Sequence, residues 1–395
     1  MKYDFTTLPD RSTMSSGKWG SMKRLNPAVP AGIAPMSTAD MDLLPPPQLV
    51  EGLKDYVGSV IFGYTRPWDS YNQAVVDWMQ TRHNWKIEKD WIVPTPGIVP
   101  ALFDGVLAYT QPDDGVIILT PVYHPFYGAI RSAGRSIVES PLIATGDSYE
   151  IDFADFEKKA QDKKNTLLIF CSPHNPIGRV WTREELEKIA DICLKNNVTI
   201  MCDEIHHDLI MPGYEHTVMA DLSPEIADIT VTFTAASKSF NIAGLQTSNV
   251  IISNPELREK LREAMNAHSI HGGNMMGYKA TEIVYTQCAD WLDECIDLIW
   301  KNYNYVRDYC EKNIPEVKVK KMEGTYLPWI DMNGFGLDEK TLEKELAEKA
   351  LIFGNMGSMF GTAGNCFLRI TLVCPYSVIV ETMDRLGKWA ESLRK

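Results

Sequence analysis

Five short apolar runs, each ending in small or polar residues, constrain this chain more than any other feature. They are "GVIILTP" (Gly115–Pro121), "NTLLIFCSP" (Asn165–Pro173), "NVTIMCDEI" (Asn197–Ile205), "DITVTFTA" (Asp228–Ala235) and "NVIIS" (Asn249–Ser253). A strand that is apolar at successive positions is buried on both faces, and such strands belong to parallel sheets covered by helices. The intervening segments have helical periodicity. In "TREELEKIADICLKNN" (Thr182–Asn197), Thr182 and Glu185 form a capping box, and Leu186, Ile189, Ala190 and Cys193 make one apolar stripe. The fold class is therefore α/β, a mostly parallel sheet sandwiched by helices.

A chain of 395 residues exceeds one ordinary core. Residues 1–47 read as an irregular N-terminal arm, residues 48–280 as the large domain, and residues 281–395 as a smaller α+β domain. "QLVEGLKDYVGS" (Gln48–Ser59) opens the large domain as a helix, and the boundary is a linker near "HSIHGGNMMG" (His268–Gly277) or a long helix crossing between the domains.

The net charge of −13, without a basic block, argues against nucleic acid as a partner. No apolar run reaches membrane-spanning length. The eight cysteines include no C-x-x-C pair, and several lie in core-like runs, as expected for free thiols in a reducing compartment. A cytoplasmic address is expected.

In open parallel sheets, ligands bind beyond the carboxyl ends of the strands. Here those ends carry Tyr123, Asn175, Asp203 with His206, and Lys238 in turn. Singly, each has an ordinary role. Asn175 in "HNPIG" suits a turn, Asp203 a helix cap, Tyr123 core filling, and Lys238 the surface. Five suitable residues at successive strand ends are less easily dismissed. A buried, unpaired ammonium is costly, so a lysine among Ala235, Ala236 and Ser237 is either exposed or kept for its amine. His206 and His207 beside Asp203 raise the question of a metal. No second His/Cys cluster accompanies them along the sequence, so no metal is expected.

"SPHNPIGRVWTREEL", "DEIHHDL", "ASKSFNIAGLQ" and "FLRITLVCP" together resemble the fold-type I pyridoxal-phosphate enzymes of the class I/II aminotransferase superfamily. "FGYTRP" (Phe62–Pro67) and "ADMDL" (Ala39–Leu43) are similar to the cystathionine β-lyase-like carbon–sulfur lyase branch. The resemblance implies that Lys238 carries pyridoxal 5'-phosphate as a Schiff base and acts as general base. Asp203 would hold the ring nitrogen protonated, Asn175 and His206 would meet the phenolic oxygen, and Tyr123 would stack on the ring. Gly97 and Ile98, opening a helix in "TPGIVPAL", would present backbone amides to the cofactor phosphate, with Ser237. Arg369 would clamp the substrate carboxylate, aided by Asn175. In a homodimer with shared sites, Tyr64 would reach the neighbouring subunit's cofactor and substrate.

Two positions depart from many aminotransferases. Gln246 stands where an arginine binds phosphate, and Ala235 where a serine does. The resemblance implies β-elimination of a thiol from an L-cysteine-derived amino acid, giving pyruvate and ammonia. An aminotransferase is the alternative, and a non-catalytic pyridoxal-phosphate-binding regulator a third reading.

Overall fold

The computed structural model describes residues 2–394. The apolar runs form the middle of a seven-stranded sheet. Its strands stand in the spatial order Ile92–Thr95, Ser248–Ile251, Thr230–Thr234, Thr199–Asp203, Asn165–Cys171, Gly115–Thr120 and Ser136–Pro141. The five from Thr230–Thr234 to Ser136–Pro141 pair in parallel, while Ser248–Ile251 runs antiparallel to both its neighbours. The sheet is thus mostly parallel, as the apolar runs require. Residues 116–119 and 167–171 are buried throughout, which is why they lack a polar alternation. The Ser136–Pro141 edge strand is largely open to solvent and leaves no such signature.

The Arg183–Asn196 helix begins at the expected capping box and buries Leu186, Ile189, Ala190 and Cys193. Another helix, Ile98–Tyr109, packs on the sheet's other face with Ala101, Leu102 and Val106 inward. A second, antiparallel sheet is built from Lys318–Val319, Trp329–Asp331, Phe367–Arg369 and Asn355–Met356, in that order.

Two details differ from the sequence reading. The N-terminal segment is not merely an irregular arm. It contains a helix, Gly17–Leu25, and its Phe5, Met36, Met41 and Leu43 are buried in the largest hydrophobic cluster. These apolar residues have no regular spacing, so periodicity did not reveal them. The expected division at residue 280 falls inside the Met275–Gln287 helix. One cluster joins Trp78, Tyr285, Leu292 and Leu372 across that point, so the change in sequence character does not coincide with an element boundary.

Candidate active site

Parallel register places the polar strand ends side by side. Cys171 lies opposite Asp203, and Asp203 opposite Phe233. The chain therefore leaves adjacent strands at one edge, toward Asn175, Asp203 with His206, and Lys238. These residues line one cavity of ≈ 180 Å³ together with Tyr123, Gly97, Ile98, Ser237 and Gln246.

Lys238 sits in the Ala236–Ser239 turn of helix directly after the Thr230–Thr234 strand. Its Nζ donates to the Ala39 carbonyl at 2.8 Å, and no carboxylate lies within ion-pair distance among the described residues. What surface it retains faces the cavity. Burial, and then the nearby Arg369 charge, push its amine down to about 8; Asp40 and Asp203 pull weakly the other way. Asp203 is the mirror case. It is 3% exposed and accepts only the Ile205 N–H, at 3.2 Å. Burial raises its carboxyl to about 7, opposed by that hydrogen bond and by Lys238.

Arg369 stands behind Asn175. Its guanidinium donates to Asn175 Oδ1 at 2.9 Å, to Asn355 Oδ1 at 2.7 Å and to the Ser37 carbonyl at 3.3 Å. It lies over the Phe360 ring, 4.6 Å from the centroid. No acid pairs with it among the described residues, and its buried Nε has no partner. Burial pushes it down to about 10. The ordinary alternative for this residue, a structural salt bridge, is absent there. Asn175 is fixed from the other side, its backbone N–H pointing at Cys171 Sγ at 3.4 Å.

His206 is buried, set edge-on to Tyr326 with ring centroids 5.8 Å apart, and its Nδ1 has no partner. Burial, with Lys238 and Arg369 nearby, keeps it neutral. Tyr123 is half-buried and edge-on to Phe126 at 6.0 Å. Gly97 has φ 151° and ψ 161°. Only glycine adopts that conformation readily, and it turns the strand sharply into the Ile98–Tyr109 helix. The first amides of that helix have no partner within it and suit an anion. Tyr64 lies elsewhere, fully exposed, and the structure does not bring it to this cavity.

Sequence reasoning missed four contributors. The Ala39 carbonyl receives both Lys238 Nζ and, at 3.0 Å, Tyr326 Oη. Asn355 pairs across the small sheet with Arg369 in register. Phe360 underlies the guanidinium. Ala39 opens the "ADMDL" motif, but a backbone carbonyl leaves no mark in sequence; the other three carry no local motif, and cross-strand register and long-range packing place them.

The residues fit pyridoxal phosphate on physical grounds. An enclosed amine lacks an anion, a buried carboxylate lacks a cation, His206 with its unpartnered Nδ1 lines the same cavity, and Arg369, its Nε unpartnered, bonds the lining residue Asn175. A buried charge is ordinarily paired; an aldehyde, a cationic ring and an anionic substrate would supply the missing partners.

A family model described as "Aminotransferase class I and II" matches residues 33–386. The chain belongs to that family. Among curated relatives, cystathionine beta-lyase PatB of Bacillus subtilis is 38% identical over 97% of this chain and 98% of its own length. Among solved structures, cystalysin of Treponema denticola, which contains pyridoxal 5'-phosphate, is 49% identical, with a TM-score of 0.98 over 100% of both chains. The PLP-bound C–S lyase of Staphylococcus hominis is 31% identical, with a TM-score of 0.91 over 98% of both chains. The protein is thus a fold-type I, pyridoxal-phosphate-dependent enzyme of the cystathionine β-lyase-like branch.

Proposed function

We propose that this enzyme is a carbon–sulfur β-lyase that releases a thiol from an L-cysteine-derived amino acid such as cystathionine or a cysteine S-conjugate. The observation that supports it most is Lys238 and Asp203, two enclosed groups of opposite sign, each without a protein counter-ion, lining one cavity. The names of the relatives turn this from general pyridoxal-phosphate chemistry toward C–S cleavage.

Pyridoxal phosphate, when bound, supplies an aldehyde for the amine and a ring that accepts an electron pair. Lys238 would take the cofactor at Nζ, then receive the substrate Cα proton there. A tethered amine whose pKa lies near neutrality suits that transfer. Asp203 would hold a proton at the ring nitrogen. Arg369, steadied by Asn175 and Asn355, would bind the substrate carboxylate. As Cα–H breaks, the Cβ–S pair leaves with sulfur, which is protonated to the thiol. The remaining enamine takes up water to give pyruvate and ammonia. Gly97, Ile98 and Ser237 would face the phosphate, with Tyr123 against the ring and His206 near its oxygen.

The working form is proposed as a homodimer. Ile61, Phe62 and Tyr64 are 88%, 68% and 113% exposed, an apolar stretch that a second subunit would cover. Tyr64 would then enter the partner's cleft. The eight unpaired cysteines, all buried, fit a cytoplasmic location; no helix among the described residues is long and apolar enough to cross a membrane.

Pyruvate and homocysteine should form from L-cystathionine with no keto acid added. Turnover that requires a keto-acid acceptor would instead make the enzyme an aminotransferase.

A further inference from the structure

The motif "DEIHHDL" carries more than Asp203. His207 follows His206 but faces away from the cofactor cavity, into a cluster formed with His83 and His216. The absence of a second histidine cluster along the sequence had spoken against a metal. The fold brings in histidines distant in sequence, because His83 ends the Asp69–His83 helix and His216 lies in the loop after "DEIHHDL".

The His83 and His207 rings stack with centroids 4.1 Å apart, and His216 stands edge-on to both, at 5.9 and 6.1 Å. Two carboxylates complete the group. Asp208 Oδ1 is 2.8 Å from His83 Nε2, and Glu204 Oε2 is 2.9 Å from His216 Nε2. Both carboxylates are buried, and no lysine or arginine lies within 4.0 Å of either among the described residues. Buried carboxylates of this kind are paired or bind metal.

His207 is the decisive residue. It is 1% exposed, yet neither ring nitrogen makes a hydrogen bond, and His216 Nδ1 is also unpartnered. Its nearest acid, Asp208 Oδ2, is 3.5 Å away. A neutral imidazole always has one lone pair and one N–H to satisfy.

We infer that His207, with either His216 and Glu204 or His83 and Asp208, forms a binding site for one divalent transition-metal ion of the zinc type. Two imidazoles and a carboxylate favour zinc, nickel or cobalt over magnesium or calcium. Donor atoms of His83, His207 and Asp208 lie within 4.8 Å of one another, as do those of Glu204, His207 and His216. Tetrahedral donors at a bond of ~2.1 Å sit ~3.4 Å apart, so side-chain rotation would close either set. An ion has a route in, because His83, His207 and His216 also line a surface cavity with Tyr214 and Glu215.

The site would be structural. Asp208 also accepts the hydroxyl of Ser239 at 2.5 Å, and Ser239 follows Lys238 in the chain. Glu204 follows Asp203. The ion would brace the back of the cofactor cleft without touching substrate.

The test is cobalt(II) titration of tag-free holoenzyme that has been treated with chelator. A ligand-field absorption saturating at one equivalent per chain, displaced by zinc, and a higher Tm with zinc are expected. His216→Gln, a loop substitution, should weaken cobalt at least about tenfold, while circular dichroism and cofactor absorbance stay unchanged. His83→Gln should do so instead where the ion takes the set with Asp208. No cobalt spectrum, or binding undiminished in both folded variants, would overturn the site.

Discussion

Lys18 and Lys238 are both enclosed near the N-terminal segment, and only Lys18 has a counter-ion among the described residues. Lys18 Nζ lies 2.5 Å from Asp42 Oδ2 and 3.5 Å from Asp40, and both side chains of the closer pair are buried. Arg11 grips Asp40 through two bonds of 2.8 and 2.9 Å and reaches Asp42 as well, while Trp19 Nε1 donates to Asp42 at 3.2 Å. Lys238 has the Ala39 carbonyl and nothing more. The same short segment, residues 39–42, serves both amines, since Lys18 also donates to the Asp40 carbonyl at 3.1 Å. A satisfied ion network holds structure. An amine kept from its counter-ion is left free to react. The missing counter-ion alone does not mark a reactive amine, since Lys320, 7% exposed, also has only a carbonyl, that of Gly146 at 2.7 Å; Lys238 differs in lining one cavity with Asp203.

The sharpest way to break the comparison is to remove each amine. Lys238→Ala should lower turnover by at least ~10³-fold, since both covalent attachment and proton transfer go with it. In cofactor-free protein its unfolding midpoint in denaturant should not fall, because no ion pair is lost and a buried charge is removed. Normal turnover would refute the assignment. Lys18→Met should do the reverse. Removing one partner from a buried pair costs roughly 3–5 kcal/mol of stability. Urea unfolding should show that loss, while the folded fraction still binds cofactor.

Asp203 sharpens the contrast from the acid side. Its carboxyl is raised to about 7 in the folded protein by burial, against roughly 4 in the unfolded chain. The folded state therefore binds the extra proton between those values, so cofactor-free protein loses stability as pH rises from ~4 to about 7, and the penalty is complete above that. Asp203→Asn should make cofactor-free protein more stable by roughly 1–4 kcal/mol above pH 7, and no more stable near pH 4. Thermal melts across pH would show it. Equal melting at all pH values would mean the carboxylate already has a partner.

The legible parts of this molecule were those written in consecutive residues. Buried parallel strands advertise themselves as unbroken apolar runs, and in such sheets the chemistry lies at their carboxyl ends, so Asp203, Lys238 and Asn175 could be read directly. Arg369 was placed by resemblance, but its support by Asn355 depends on a pairing between short strands that no periodicity announces. The Lys18–Asp42 pair, the Ala39 carbonyl and the meeting of His83 and His216 with His207 all depend on segments brought together by the fold. The N-terminal residues were read as an arm because their buried side chains follow no repeat, although they close the cleft over Lys238.

The central claim is that the amine at Lys238, and not that at Lys18, holds pyridoxal phosphate. Borohydride reduction of the yellow enzyme followed by peptide mass spectrometry tests it most directly. The account predicts bleaching and a single phosphopyridoxyl group on the peptide containing Lys238. An unmodified Lys238 in fully bleached enzyme, with the phosphopyridoxyl group on another peptide, would contradict it.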